Sequence, residues 1–435
     1  MRRWRGLKSL VHDAVDRVTD LVGEGHESTA RTILRVTDRV PSISKRARAV
    51  NEIRRISTRG VLGSIKIVNR AVRVASDLGL DLATTPEPEE LHEPVPAVPM
   101  RSDAIDRASW VGDAALGLVN AVIGDHLHAR DNGLDMGMVF RVGDHYVPID
   151  AVAIREAGRT LAPKVALYVH GLGTTEWSWC LEALAYHGDS GTTFGSMLER
   201  DRGFTPIWLR YNTGRHVSEN GRLLARELER FVHAYEAARG GPIEELALIG
   251  HSMGGLVVRS ACHYAEMEHY AANDGRWPGL VKNVICLGSP HQGAPLEKLG
   301  NLLTGVLGAI DLPGTLIPAR LLEGRSAGIK DLRHGSIIDE HWLGKDPDAL
   351  RDEERAEVPL LAHATHHFVS ATLTRDPEHP LGRLIGDLLV RVPSSAGPKI
   401  AKSSFAVETS RFGGVMHHQL QNHPAVYAVV RDALA

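Results

Sequence analysis

Six consecutive residues, Gly250-His251-Ser252-Met253-Gly254-Gly255, set a serine hydroxyl between glycines two positions before and two after it. An apolar run, Leu246-Ala-Leu-Ile249, precedes them, and Leu256-Val-Val-Arg-Ser-Ala261 comes after. The pattern reads as strand, sharp turn, helix. A serine at such a turn is forced into a strained backbone conformation that lifts its hydroxyl clear of the sheet. Glycine is needed on both sides because a side chain there would collide with the neighbouring strand or helix. The helix beginning at Met253 points its free N–H groups and positive dipole end towards the serine. Such a hydroxyl suits nucleophilic attack on an acyl carbon, provided a base removes its proton.

A second stretch, Val169-His170-Gly171-Leu172-Gly173, ends another apolar run, Lys164–Val169. Acyl transfer passes through an oxyanion that needs two fixed N–H donors. The amide of Met253 suits one donor position, and that of Leu172, in the loop after the earlier strand, suits the other. The base and its orienting acid come after the serine in the order Ser, Asp, His. Asp387 lies in Ile385-Gly386-Asp387-Leu388-Leu389-Val390, and His417 in Gly414-Val415-Met416-His417-His418. Spacing alone leaves His418 open as the base and Asp376 open as the acid.

Elements that could hold these residues are visible on either side. Short apolar runs at Lys164–Val169, Pro206–Tyr211, Leu246–Ile249, Val281–Leu287, His367–Leu373 and Ser404–Val407 alternate with helical stretches. Strands spaced by helices imply crossover units, hence an α/β fold with a largely parallel sheet. Ala104–Leu127 reads as a helix, and Met136–Arg141 with His145–Ile149 as a hairpin about Val142-Gly143-Asp144. Earlier still, Trp4, Leu7, Val11, Ala14, Val15, Val18 and Val22 recur at helical steps. Thr84–Pro99 holds five prolines and four glutamates and reads as a linker. The division expected is therefore an amphipathic helical region over 1–82, a linker over 83–100 and a catalytic domain over 101–435.

Taken in order, these stretches resemble the bacterial triacylglycerol lipases and the related GPI-inositol-deacylase-like hydrolases, from roughly Met136 to Ala435. The resemblance rests on Val169-His-Gly-Leu-Gly173, Tyr211-Asn-Thr-Gly-Arg-His216, Gly250-His-Ser-Met-Gly-Gly255, Leu287-Gly-Ser-Pro-His-Gln-Gly293, Gly386-Asp-Leu-Leu-Val390 and Gly414 to Pro424. It implies an alpha/beta-hydrolase fold, a mostly parallel sheet flanked by helices. It also implies a cap or lid insertion, here about 294–342. In those families the aspartate of a Gly-Asp-Gly-Leu-Val stretch is the triad acid, which matches Asp387, although Leu388 stands where that pattern has glycine. The first histidine of their Gly-x-x-His stretch is the base, which matches His417. Gln419 replaces an aspartate found near a calcium site in some lipases, so calcium is not expected. Trp177, Trp179 and Tyr211 are candidates for the substrate pocket.

Residues and resemblance together imply a serine esterase or lipase without cofactor or metal, acting on carboxylic esters with an apolar acyl or alcohol group. His363, His366 and His367 suggest a metal only on a helix, and Phe368-Val-Ser-Ala-Thr-Leu373 argues for a strand. Acyl transfer and thioesterase action are alternatives on the same fold. From a different class, the chain could be a membrane- or partner-binding scaffold with a dispensable hydrolase domain.

Composition bounds the partners. Formal net charge is −3, which gives no sign of nucleic acid, but residues 1–75 carry 17 Lys and Arg against 7 Asp and Glu. A basic amphipathic array of that kind suits an anionic membrane surface. Cys180, Cys262 and Cys286 make an odd, scattered set, so neither a disulfide framework nor a thiolate zinc site is expected. No secretory signal is read at the start, and the longest apolar stretch, near Leu302–Ile310, is too short to span a bilayer. A cytoplasmic protein is expected, with peripheral membrane association as the variant.

Overall fold

A computed structural model of the chain describes Ser9 and residues 93–97, 99–101, 107–157, 160–267, 276–294, 326–346, 356–379, 387, 390, 392–395 and 405–435. Two compact units are distinguished, Met1–Glu89 with Arg130–Leu134, and Glu90–Ala129 with Asp135–Ala435. Every expected site residue belongs to the second. The amphipathic helices expected over 1–82 lie outside the described residues, Ser9 excepted, as do 83–92 of the expected linker and 295–325 of the expected insertion.

Among the described residues the apolar runs form one sheet of nine strands, in the order β1-β3-β2-β5-β4-β6-β7-β8-β9. In chain order these are β1 Val95–Pro96, β2 Met138–Val142, β3 His145–Val147, β4 Lys164–Val169 and β5 Phe204–Tyr211. After them come β6 Glu245–His251, β7 Val281–Leu287, β8 Thr365–Thr372 and β9 Ala406–Gly413. From β5 to β9 all neighbours run parallel, while β1, β2 and β3 add an antiparallel flank. Parallel strands are covered by helices on both faces, which is why β5 and β6 are buried at every position. Two long helices, Val217–Arg239 and Met253–Glu266, pack together after β5 and β6. Gly221 permits their close approach, since a Cβ there would overlap the Ser260 side chain.

Two boundaries differ from the sequence reading. The strand expected at Ser404–Val407 runs instead over Ala406–Gly413, and five of its eight residues are only partly buried. Polar residues such as Glu408, Ser410 and Arg411 are tolerated because this outermost strand has a neighbour on one side only among the described residues. The Pro/Glu-rich stretch expected as a linker also reaches the sheet at its end, where Val95–Pro96 pairs with His145–Tyr146. Proline has no amide proton to donate, and an outermost strand is where a sheet accepts it.

The described end of the insertion is bonded into this domain. Ser326 caps the helix Ala327–His334 and donates to the Ala121 carbonyl at 2.6 Å. Gly328 N–H donates to the Gly214 carbonyl at 3.0 Å. A Cβ on Gly328 would come 3.2 Å from Met253 Cε, which brings this segment next to the residue after Ser252.

Candidate active site

Ser252 sits between the last residue of β6 and the helix Met253–Glu266 with φ 54° and ψ −122°. A non-glycine residue rarely holds a positive φ without surroundings that enforce it. Here the surroundings are tight. A Cβ on Gly250 would overlap the Gly255 backbone, and one on Gly254 would overlap the Val169 carbonyl oxygen. Both glycines are thus required by close approach, as the spacing implied. The Ser252 amide donates to the Leu287 carbonyl at 2.8 Å, which ties the turn to the end of β7. Met253 is the first residue of the helix, where N–H groups have no partner within the helix itself.

The loop after β4 packs directly on this turn. A Cβ on Gly171 would lie 3.0 Å from Ser252 Cβ. Tyr211, at the end of β5, holds the loop in place: its hydroxyl donates to the His170 carbonyl at 2.9 Å and its ring stacks on the His170 ring at 4.5 Å. Gly173 N–H donates to Thr213 Oγ1 at 3.3 Å, and Thr174 Oγ1 donates to the Gly171 carbonyl at 3.0 Å. Burial lowers the His170 pKa to about 4, so its ring stays neutral in this network. Leu172, between these anchors, is itself buried.

At the far edge of the sheet, β9 ends in a turn that carries His417. Gly414 takes a φ of 70°, and its N–H donates to the Thr374 carbonyl at 2.9 Å. The His417 Nδ1 atom lies 2.7 Å from Asp387 Oδ2, and both side chains are almost completely buried. The second Asp387 oxygen, Oδ1, accepts from the Val390 amide at 2.9 Å. The alternatives lie elsewhere: Asp376 is exposed and accepts from the Glu378 amide two residues on, and His418 Nε2 faces Glu182 at 3.5 Å.

Ser252 and His417 converge on one short segment. Leu287 accepts the Ser252 amide proton, and a Cβ on the next residue, Gly288, would lie 3.1 Å from His417 Cε1. With Nδ1 directed to Asp387, the opposite ring nitrogen Nε2 is buried and has no hydrogen-bond partner among the described residues. Catalytic contacts in unliganded structures are often longer than hydrogen-bond distance and tighten around substrate.

Other residues singled out by sequence have different surroundings. Tyr211 is fully buried with its hydroxyl donating to the His170 carbonyl, so it supports the loop. Trp177 and Trp179 belong to the core, Trp179 meeting Tyr168 edge-on at 5.0 Å. His363, His366 and His367 bond separately to the Pro278 carbonyl, the Leu361 carbonyl and Asn283 Oδ1.

Sequence reading misses a buried charge network behind the loop. The Glu176 carboxylate receives two hydrogen bonds from Arg210, at 2.8 and 2.9 Å, and one from the Tyr146 hydroxyl at 2.6 Å. Arg210 also meets Asp113 at 2.5 Å. Burial alone would raise the Glu176 pKa, but the charges and hydrogen bonds of Arg210 and Arg141 outweigh it and hold the value at about 2.

Sheet order, strained serine turn and the late histidine turn together are those of the alpha/beta-hydrolase fold, and the chain is an alpha/beta-hydrolase-fold protein. Residues 195–306, which include the serine turn, match the PGAP1-like alpha/beta domain. Among solved structures the chain is similar to a lipase from Bacillus licheniformis in its mature form, at 16% identity and a TM-score of 0.39 over 68% of this chain and 98% of that one. It is also similar to an esterase from Pyrococcus furiosus, at 14% identity and a TM-score of 0.37 over 63% of this chain and 83% of that one. A phospholipase from Legionella pneumophila gives 14% identity and a TM-score of 0.36 over 62% and 59% of the two chains. Likenesses so distant carry nothing about substrate. No curated protein matches the chain.

Proposed function

We propose that this protein hydrolyses carboxylic esters through an acyl-enzyme on Ser252. One observation carries the reading: a buried Asp387–His417 pair leaves His417 Nε2 without a partner among the described residues, beside the strained serine turn. In the first half-reaction His417 Nε2 takes the Ser252 proton as Oγ attacks the ester carbon. Asp387 holds the Nδ1–H tautomer and stabilises the imidazolium without taking its proton. The amides of Leu172 and Met253 receive the oxyanion, preorganised by the loop anchors and by the helix terminus. His417 then protonates the departing alcohol. In the second half-reaction it activates water, which releases the acid and restores Ser252.

A panel of p-nitrophenyl esters from acetate to palmitate, run with wild type and Ser252→Ala, tests the reading. Turnover should fall by about 10⁶ in the variant, and a fluorophosphonate should label Ser252 in wild type only. Equal turnover of the two proteins removes the proposal. The expected preference is for esters with an apolar acyl or alcohol group.

The basic segment 1–75 lies, Ser9 excepted, outside the described residues, and its charge surplus supports an anionic membrane surface as its partner. Among the described residues no helix is long and apolar enough to cross a membrane. Flotation with anionic liposomes, comparing the full chain with one starting at Met100, tests this; equal flotation removes it.

A further inference from the structure

His251, the last residue of β6, has a role that neither the nucleophile nor its two partners supplies. Its side chain is buried between three parts of the site. Nε2 lies 3.0 Å from the main-chain carbonyl oxygen of His417. The two rings are 4.8 Å apart and inclined by 50°, and the Trp179 ring meets His251 edge-on at 6.4 Å. On the other side, a Cβ on Gly171 would lie 3.2 Å from His251 Nδ1.

A carbonyl oxygen can only accept, so Nε2 carries the proton and Nδ1 is left with a bare lone pair. That lone pair is buried and has no partner among the described residues, the arrangement of a ring kept for the contact made by its other nitrogen. Burial lowers the His251 pKa well below 6.5, and His417, His418 and His170 are the titratable groups around it that act in the same direction. The ring therefore stays neutral and the donor persists at Nε2 while His417 cycles between neutral and charged. No positive charge at position 251 competes with the imidazolium.

We propose that His251 is a positioning residue for the general base: its Nε2–H fixes the main chain of His417 directly from the strand that presents Ser252. This rests on the hydrolase reading above. Asp387 holds the His417 ring and His251 holds its backbone, so rotation and translation of the base are restrained separately. Because His251 adjoins Ser252 in the chain, nucleophile and base are linked through one side chain instead of across the whole sheet. A small misplacement of reacting groups can cost about a hundredfold in rate.

The test compares kcat and KM, per active site titrated by the p-nitrophenyl acetate burst, for wild type, His251→Phe and His251→Gln, with thermal unfolding in parallel. Phenylalanine keeps a planar apolar ring but has no donor; glutamine puts an amide N–H near the Nε2 position. Expected for His251→Phe is a kcat lower by about tenfold to a hundredfold with KM within about twofold. Expected for His251→Gln is recovery to within about threefold of wild type. A residue that only fills space would change the unfolding temperature or the fraction of titratable sites and leave kcat per site alone. Wild-type kcat per site in His251→Phe, or no recovery with glutamine, overturns the proposal. Should the phenylalanine variant not fold, His251→Asn takes its place, its shorter amide falling short of the carbonyl, and unchanged kcat there overturns the proposal equally. Ser252→Ala separates the two levels. If it turns over like wild type, the hydrolase reading fails; if it is inert while His251→Phe keeps its kcat, only the role of His251 fails.

Discussion

The Ser178 hydroxyl donates to Gln421 Oε1 at 2.8 Å, joining positions 243 residues apart. Ser178 lies just beyond the Leu172 loop, and Gln421 ends the short helix His417–Gln421. Asn422 reinforces the junction, its side-chain amide donating to the Leu181 and Thr192 carbonyls at 3.3 and 3.0 Å. The proposed oxyanion donor and the proposed base are thus braced against each other away from the reacting atoms. Ser178→Ala should strand a buried acceptor and destabilise the fold by about 1–3 kcal/mol. It should also lower kcat more than it raises KM. Urea unfolding and steady-state kinetics check both, and Ser178→Ala with Gln421→Leu should be less than additive.

Asp387 and Asp376 give a direct contrast. Asp387→Asn should reduce kcat by about 10⁴, because an amide favours the wrong His417 tautomer. Asp376→Asn removes only a charge on its own exposed turn, since the amide oxygen still accepts from the Glu378 N–H. It should leave ester turnover within about twofold, since surface changes away from a site are close to neutral. Comparable losses in both variants would contradict the assignment of the acid.

Gly171 tests the loop. An alanine there brings its Cβ to 3.0 Å from Ser252 Cβ and 3.2 Å from His251 Nδ1, tighter than ordinary packing. The loop must give way, and the neighbouring Leu172 amide with it. Gly171→Ala should retain its circular dichroism spectrum while kcat falls by about 10²–10³, the usual cost of losing an oxyanion donor.

Glu176 should show its effect in acid. Its folded-state pKa of about 2 lies below the ordinary 4.5. A depressed carboxylate stabilises the fold fully above its unfolded value. That contribution fades as pH falls from about 4.5 through about 2. Glu176→Gln leaves Arg210 buried without its main partner and should cost about 3–5 kcal/mol at neutral pH. Unfolding free energies of wild type and variant should approach one another below about pH 4, as chemical denaturation across that range would reveal.

His170 and His366 act in the same direction in a higher window. Burial lowers both from 6.5 to about 4. The unfolded chain therefore binds protons before the folded one does. Stability from these residues is complete above about 6.5 and is lost as pH falls towards about 4. Urea midpoints should drop between about pH 7.5 and about pH 4.5, and His366→Gln should flatten that drop.

Legibility tracks the chemistry of each element. β4 and β7 are readable to the residue because each carries an apolar run, Val165–Val169 and Val284–Leu287, that is buried throughout. The serine turn is readable because its glycines answer a local demand for space. β9 is not, because Glu408, Thr409, Ser410 and Arg411 carry no apolar alternation. The Glu176 network is invisible for another reason. Its members, from Asp113 to Arg210, are spread over 97 positions, and nothing local distinguishes a charge that will be buried from one that will be solvated. The supporting role of Tyr211 is equally invisible, because nothing local shows that its hydroxyl will meet a carbonyl 41 positions away.

The two borders of the sheet meet other chains on different terms. One is a strand of two residues closing on Pro96, too short and too poor in donors to template an added strand. The other, Ala406–Gly413, is longer, and its like-for-like stacking would bring Glu408 against Glu408 or Arg411 against Arg411 in a parallel, in-register pair. In concentrated preparations this protein should therefore resist filament growth at low ionic strength, and lose part of that protection as added salt screens the like charges.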